Sequence, residues 1–77
     1  MKLYNIQVSA YAGYKANERP LDFTFKKKKH LIKNIIQQTY EKNVSGGLIR
    51  RFTVKTDEGI IFKLCYNEKQ DQWFIED

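Results

Sequence analysis

The C-terminal third of the chain contains two alternating segments joined by a glycine-containing turn. In residues 51–55 and 60–66, apolar side chains recur at every second position, the spacing of a β-strand with one buried face. Between them, Gly59 occupies the position at which a three-residue hairpin loop favours a left-handed backbone. Pairing across this turn sets Val54 opposite Phe62, so that the two apolar faces coincide. The segment therefore predicts an antiparallel hairpin in this register.

A third strand is expected to follow the hairpin. Polar residues 67–71 predict a second turn, and the residues after it alternate again. We expect Trp73 and Ile75 to face inward, which leaves only Phe74 on the outer side. The C-terminal third is therefore predicted to be a three-stranded antiparallel meander.

Two further strands are predicted in the N-terminal half. Residues 3–9 alternate, and residues 21–26 alternate more clearly, with Leu21 and Phe23 among the side chains expected on the inner face. The lysine run 26–29 is expected to form the turn that ends this strand and to deter edge-to-edge pairing.

Residues 30–40 allow two interpretations. As a helix, their apolar side chains gather along one stripe, so periodicity alone favours a helix. As a strand, Ile32 and Ile36 share a face with the polar Asn34 and Gln38, which is a poorer pattern. The isoleucine content, the neighbouring strands and the lack of a helix cap at His30 favour a strand. We predict an all-β fold, a five- or six-stranded antiparallel meander curled into a small barrel or roll, with α+β and a helix at 30–40 as the alternative. The predicted core comprises Ile6, Val8, Phe23, Phe25, Phe52, Val54, Phe62, Leu64 and Trp73.

The size and charge of the chain limit what it can do. Its 77 residues predict one small β-rich domain over 1–77. Residues 1–55 hold 12 Lys or Arg against 3 acids, whereas residues 56–77 hold 2 against 6, within a net charge of +5. Such a field favours anionic partners, unless the two halves pair with each other in the fold. The single cysteine and the lack of a signal-peptide pattern or a long apolar run predict a cytoplasmic protein without a membrane partner. The oligomeric state stays open.

Catalysis and metal binding have little support in the sequence. His30 is the only histidine and Cys65 the only cysteine, so a structural zinc site lacks ligands, and the acids show no calcium-loop spacing. Cys65 is expected to point outward as an ordinary strand residue. No glycine pattern matches a phosphate-binding loop. We therefore expect no enzyme activity, metal or cofactor.

Residues 9–20 fit neither a helix nor a strand pattern. They contain Ser9, Tyr11, Gly13, Tyr14, Lys15, Glu18 and Pro20. This order resembles the N-terminal signature Ser-x-Tyr-x-Gly-Tyr-Lys-x-x-Glu-x-Pro of a family of short, uncharacterised bacterial proteins. The later residues Asp57, Gly59, Tyr66 and Trp73 extend the likeness, whereas residues 36–40 depart from it. The resemblance implies an all-β fold and no assigned activity.

Two functions follow as expectations. The first is a non-enzymatic protein-interaction module, because binding residues concentrate on loops of a rigid scaffold. Its candidate binding residues are Tyr11, Tyr14, Lys15 and Arg19. The alternative is a small β-barrel that binds single-stranded nucleic acid through cations and stacking rings. The cations nominated for that role are Lys27, Lys28, Arg50 and Arg51.

Overall fold

Six antiparallel strands form a closed barrel. A computed structural model of the protein describes residues 3–11, 19–42 and 47–76. The strands are β1 (Leu3–Tyr11), β2 (Arg19–Phe25), β3 (Lys28–Lys42), β4 (Leu48–Thr56), β5 (Ile61–Asn67) and β6 (Gln72–Glu76). Each strand pairs with the next, and β6 pairs with β1 to close the barrel. The all-β prediction is confirmed, and the alternative of a helix at 30–40 is wrong. Within the described ranges, no helix is long and apolar enough to cross a membrane.

Two strands are shared between the two sheets that make up the barrel. Residues 3–6 of β1 pair with β6, and its residues 7–11 pair with β2. Likewise, residues 28–31 of β3 pair with β2, whereas its residues 32–42 pair with β4. A strand that changes partner in this way turns a corner between sheets, which is how a short meander closes.

The predicted C-terminal hairpin is confirmed in its register. Val54 lies opposite Phe62, and the backbone N–H of Thr56 donates to the carbonyl oxygen of Ile60 at 2.9 Å. Gly59 has a φ of 85°, the left-handed conformation that the turn requires. The apolar pattern and the turn chemistry therefore specify the same pairing.

The barrel interior holds most of the predicted core. The residues buried there are Ile6, Phe23, Phe52, Val54, Leu64, Tyr66, Trp73 and Ile75. Val8, Phe25 and Phe62 are half-buried and pack against this cluster. As predicted, Trp73 and Ile75 face inward, and Phe74 is half-buried on the other side of β6.

The prediction for Leu21 is wrong, because β2 contains a bulge. Ser9 pairs with Asp22 and Ala10 pairs with Pro20, so Leu21 has no partner in the ladder. Pro20 is fully buried, whereas Leu21 is 43% exposed. The extra residue shifts the alternation by one position, so that Pro20 replaces Leu21 on the inner face.

Two bulges in β3 explain why its sequence resembles a helix. Lys33 and Ile36 are each skipped in the pairing with β4. His30 is buried, and Ile32 and Ile35 pack against the core. Inward positions are therefore spaced by two and then by three residues, because a bulge inserts one residue into the alternation. The two bulges therefore give this strand the apolar spacing of about 3.6 residues that is typical of a helix.

The predicted lysine turn is shorter than expected. Only Lys26 and Lys27 form the turn, and Lys28 and Lys29 already belong to β3. The φ angles of Lys26 and Lys27 are 51° and 63°. A two-residue hairpin loop needs positive φ at both positions to match the twist of its strands. Lysine therefore occupies positions that Asn and Gly usually fill.

Candidate functional site

A cleft opens where β2 and β3 separate. The two strands pair only between residues 22–25 and 28–31. Beyond this point, residues 19–21 of β2 form one wall and residues 32–38 of β3 form the other. The cleft has a volume of about 490 Å³, within the range of ligand-binding clefts. We call it the β2–β3 cleft.

All three bulge residues line this cleft. Leu21 belongs to the β2 wall, and Lys33 and Ile36 belong to the β3 wall. Each is exposed, with 56% of Ile36 accessible to solvent. Bulges are frequent next to binding sites because the inserted residue redirects a side chain. The irregular pairing of both strands therefore supplies the cleft with exposed aliphatic and cationic groups.

One backbone edge of the β3 wall pairs with none of the described strands. Residues 32–42 pair with β4 on one side, and in the described part of the chain no strand pairs with their other side. An edge of this kind presents N–H and C=O groups that can pair with another strand. Within the described residues, the cleft thus combines an unpaired strand edge with exposed side chains.

The chemical character of the cleft is cationic and aliphatic. Its lining contains Arg19 and Lys33, but no carboxylate and no aromatic ring among the residues that the structure describes. Neither cation forms an ion pair with another described residue. Amides from Asn34, Gln37 and Gln38 complete the polar part of the β3 wall.

Several of the described carboxylates pair with cations outside the cleft. Lys28 Nζ lies 2.8 Å from Glu58 Oε2, and Arg50 Nη2 lies 2.7 Å from Glu68 Oε1. These pairs join the cationic first part of the sequence to its acidic last part, as does the pair of Arg51 with residue 76. The hydrogen bond from Lys28 is the main reason that the pKa of Glu58 is lowered. The opposite charges of the two halves therefore partly pair with each other.

The loop residues nominated from the sequence fall mostly outside the described residues. This applies to Tyr14, to Lys15 and to the side chain of Tyr11, whose backbone ends β1. Arg19 is described: it begins β2, is exposed and lines the β2–β3 cleft. The prediction of a shared patch for these four residues stays a prediction.

The cations nominated for nucleic acid occupy different parts of the barrel. Lys27 is exposed in the β2–β3 turn, and Lys28 beside it pairs with Glu58. Arg50 is buried with its guanidinium 5.8 Å from the ring centre of Tyr40, in addition to its pair with Glu68. The structure therefore does not gather these four cations into one unpaired groove.

Arg51 lies on the outer face of the barrel between two carboxylates. Its Nε donates to Glu41 Oε2 at 2.8 Å, and its Nη1 donates to Glu76. The hydrogen bond to Glu41 is the largest contribution to a raised pKa of Arg51. A depression of about 200 Å³ lies beside Arg51, and its lining includes Lys63 and Glu76. The charged groups of Arg51 and Glu76 in this depression already pair with each other.

Cys65 lies in the outward row of β5, as alternation predicted, but its side chain is buried. Cys65 pairs with Arg51 on β4 and with Phe74 on β6, which lie on either side of it in the sheet. Only 4% of Cys65 is exposed to solvent. Its long neighbours cover the sulfur even though the strand alternates as expected. Burial raises the pKa of the Cys65 thiol, which opposes formation of the reactive thiolate.

His30 is a core residue of the barrel. Its ring stacks on Phe23 at a centroid distance of 5.1 Å and contacts Phe62 at the same distance. Its Nδ1 lies 3.5 Å from Glu58 Oε1, within range of a charge interaction but too far for a good hydrogen bond. Among the described residues, no group of three or more His, Cys, Asp or Glu is arranged to hold a metal ion.

The sequence interpretation missed most of the cleft residues. Of the lining, only Arg19 was nominated, whereas Leu21, Lys33 and Ile36 were not. The signal that marks them is the broken alternation at 20–21 and 32–36, which indicates a bulge only when the partner strands are known.

The chain matches no protein-family model, and it has no significant match among curated proteins or solved structures. The resemblance to the family of short bacterial proteins stays a prediction.

Proposed function

We propose that this protein is a non-enzymatic interaction module that binds an extended peptide segment of another protein as an additional strand along β3. The main support is the edge of residues 32–42, which has no partner strand among the described residues and borders the β2–β3 cleft. In strand addition, backbone hydrogen bonds supply affinity, and alternate side chains supply specificity.

The dimensions of the cleft define the length of the peptide. Seven residues of β3, 32–38, line it. At roughly 3.3 Å per residue, this wall is about 23 Å long, so it accommodates a segment of about seven residues. Ile36 and Leu21 offer aliphatic contacts to the side chains of that segment. Pro20 on the opposite wall has no amide hydrogen to donate, so pairing is expected along β3.

Nucleic acid is a weaker candidate for the same cleft. Single strands are held by stacking on aromatic rings and by cations along the backbone. The described lining provides cations but no ring. Two of the nominated arginines, Arg50 and Arg51, already have carboxylate partners. The aliphatic side chains and the free edge favour a peptide.

A pair of exposed isoleucines provides a matched test. Ile36 lines the cleft and is 56% exposed, whereas Ile61 begins β5 outside the cleft and is 50% exposed. Binding of labelled seven-residue peptides with alternating aliphatic residues is measured by fluorescence anisotropy with the wild type, Ile36→Thr and Ile61→Thr. Loss of part of the aliphatic contact at Ile36 costs about 1 kcal/mol, or about fivefold in Kd. Ile61→Thr should bind as the wild type does.

The same peptides with N-methylated backbone amides test the pairing itself. Methylation removes the donors required for strand addition, so binding should be lost. Equal binding of methylated and unmethylated peptides would contradict the proposal. So would dimerisation of the protein through β3 in sedimentation experiments, because a second copy would then occupy the edge. Selective binding of oligodeoxythymidine in place of every peptide would support the nucleic-acid alternative.

A further inference from the structure

We infer that the segment bound along β3 is acidic, with carboxylate side chains interspersed among aliphatic ones. This inference rests on the proposed strand addition and specifies the chemistry of the partner. Its basis is the distribution of charge around the β2–β3 cleft.

The first step concerns charges that the fold leaves without partners. The carboxylates of Glu41, Glu58, Glu68 and Glu76 all contact Lys, Arg or His side chains away from the cleft. Arg19 and Lys33 line the cleft without an ion pair among the described residues. Asp22, which follows the cleft residue Leu21, lies 4.0 Å from the ammonium of Lys29 and does not line the cleft. An acidic ligand would therefore supply counter-charges that the described residues of the cleft do not.

The second step concerns the arrangement of groups on the two walls. The β2 wall has a cation, Arg19, two residues before the aliphatic Leu21. The β3 wall has a cation, Lys33, three residues before the aliphatic Ile36. Each wall therefore provides one cation and one exposed aliphatic side chain. The complementary ligand is a segment that mixes carboxylates with aliphatic residues, because a basic segment would face like charges and a purely apolar one would leave the cations unpaired.

A structural role for Lys33 makes a different prediction. Charged side chains on edge strands protect proteins against edge-to-edge aggregation, and lysine is common in this role. A glutamate at the same position would protect the edge equally well. If protection is the only role of Lys33, reversing its charge should leave peptide preference unchanged.

The experiment compares three peptides that share length and aliphatic residues. The other positions are all Glu, all Gln or all Lys. Their Kd values are measured with the wild type, Lys33→Glu and the control Lys69→Glu. Lys69 is also exposed and forms no ion pair among the described residues, but it lies in the turn between β5 and β6 and does not line the cleft. Circular dichroism confirms that each variant is folded.

The wild type should bind the Glu peptide about tenfold more tightly than the Gln peptide at 50 mM salt. This preference should fall below about threefold at 0.5 M salt, because exposed charges are screened within a few ångströms there. Lys33→Glu should reduce the preference to about twofold or reverse it toward the Lys peptide. Lys69→Glu should retain most of it.

The outcomes separate this inference from the function on which it rests. Equal binding of the Glu and Gln peptides by the wild type would overturn the acidic preference and leave strand addition intact. If none of the three peptides binds, both proposals are wrong. An equal effect of Lys33→Glu and Lys69→Glu would assign the preference to the overall positive field and overturn the role of the cleft. Displacement of the Glu peptide by oligodeoxythymidine at equal charge concentration would identify a phosphate backbone as the preferred anion and overturn the peptide assignment.

Discussion

Replacing Lys27 by glycine should stabilise the domain. Lys27 is the second residue of the β2–β3 turn and has a φ of 63°. A left-handed backbone costs an L-residue about 1–2 kcal/mol, whereas glycine adopts it without strain. The greater freedom of glycine in the unfolded chain offsets about 0.5–1 kcal/mol of this gain. The expected net stabilisation is about 0.5–1 kcal/mol.

This gain is measurable by denaturation. For a domain of this size, it corresponds to a rise in Tm of about 2–8 °C. With a urea m-value of about 1 kcal/mol/M, the midpoint should shift by about 0.5–1 M. Lys27 is preferred to Lys26 for the test, because the Lys26 ammonium lies 5.2 Å from the ring centre of Phe25 and its loss would add a second effect.

A second variant separates backbone strain from charge. Lys27→Ala removes the same charge but keeps a Cβ atom, so the left-handed cost remains and the change should stay within about 0.5 kcal/mol. The advantage of glycine should also persist in 0.5 M salt, where repulsion within the lysine run is screened. The reasoning is refuted if glycine gives no gain, or if alanine gives the same gain.

Three further predictions concern the rest of the barrel. Gly59→Ala should destabilise the domain by about 1 kcal/mol in urea denaturation, because a φ of 85° disfavours a side chain. The added Cβ would meet no atom within 4 Å, so a steric clash would not contribute. A neutral result would contradict this backbone origin. The pKa of Glu58 is lowered in the folded state, chiefly by the hydrogen bond from Lys28. The contribution of Glu58 to stability is therefore present above the ordinary pKa of 4.5 and is lost as the pH falls through the lower folded value. Glu58→Gln should therefore weaken the loss of stability between about pH 5 and pH 3, as measured by urea denaturation at each pH; an unchanged slope would show that the pair contributes nothing. Cys65, which is buried with a raised pKa, should react with a thiol reagent only as fast as the protein unfolds, and rapid labelling under native conditions would refute its burial.

The regular part of the fold was predictable because independent signals agreed. In the C-terminal hairpin, the alternation of apolar residues, the position of Gly59 and the pairing of Val54 with Phe62 all required one register. A slip by one residue would have moved every apolar side chain to the outer face. The inward orientation of Trp73 and Ile75 followed from the same alternation.

The irregular part was not predictable from alternation alone. The bulges at Leu21, Lys33 and Ile36 depend on which residues of the partner strands they oppose, and that information is absent from the local pattern. The same bulges made residues 30–40 resemble a helix. Because these residues line the β2–β3 cleft, the features hidden from sequence interpretation are also those that define the candidate site.

The burial of Cys65 and Arg50 also escaped the sequence interpretation. Alternation correctly assigned Cys65 to the face opposite Leu64 and Tyr66, but its coverage depends on side chains from neighbouring strands. Arg50 likewise lies in the inward row with Tyr66, where Glu68 from the following turn pairs with it. Such contacts can be predicted only when the order of the strands in the barrel is known, and the sequence pattern of a single strand does not give that order.

Hydrogen exchange of the β3 amides tests the central claim most directly. Amide exchange rates are measured by NMR for the free protein and for the protein saturated with the Glu peptide. Pairing along the free edge should slow the exchange of about half of the amides in residues 32–38, because alternate residues of a strand direct their N–H groups to opposite sides. Exchange in β5 and β6 should change little. Peptide binding that leaves residues 32–38 unprotected, or protects only residues elsewhere in the chain, would contradict strand addition along β3.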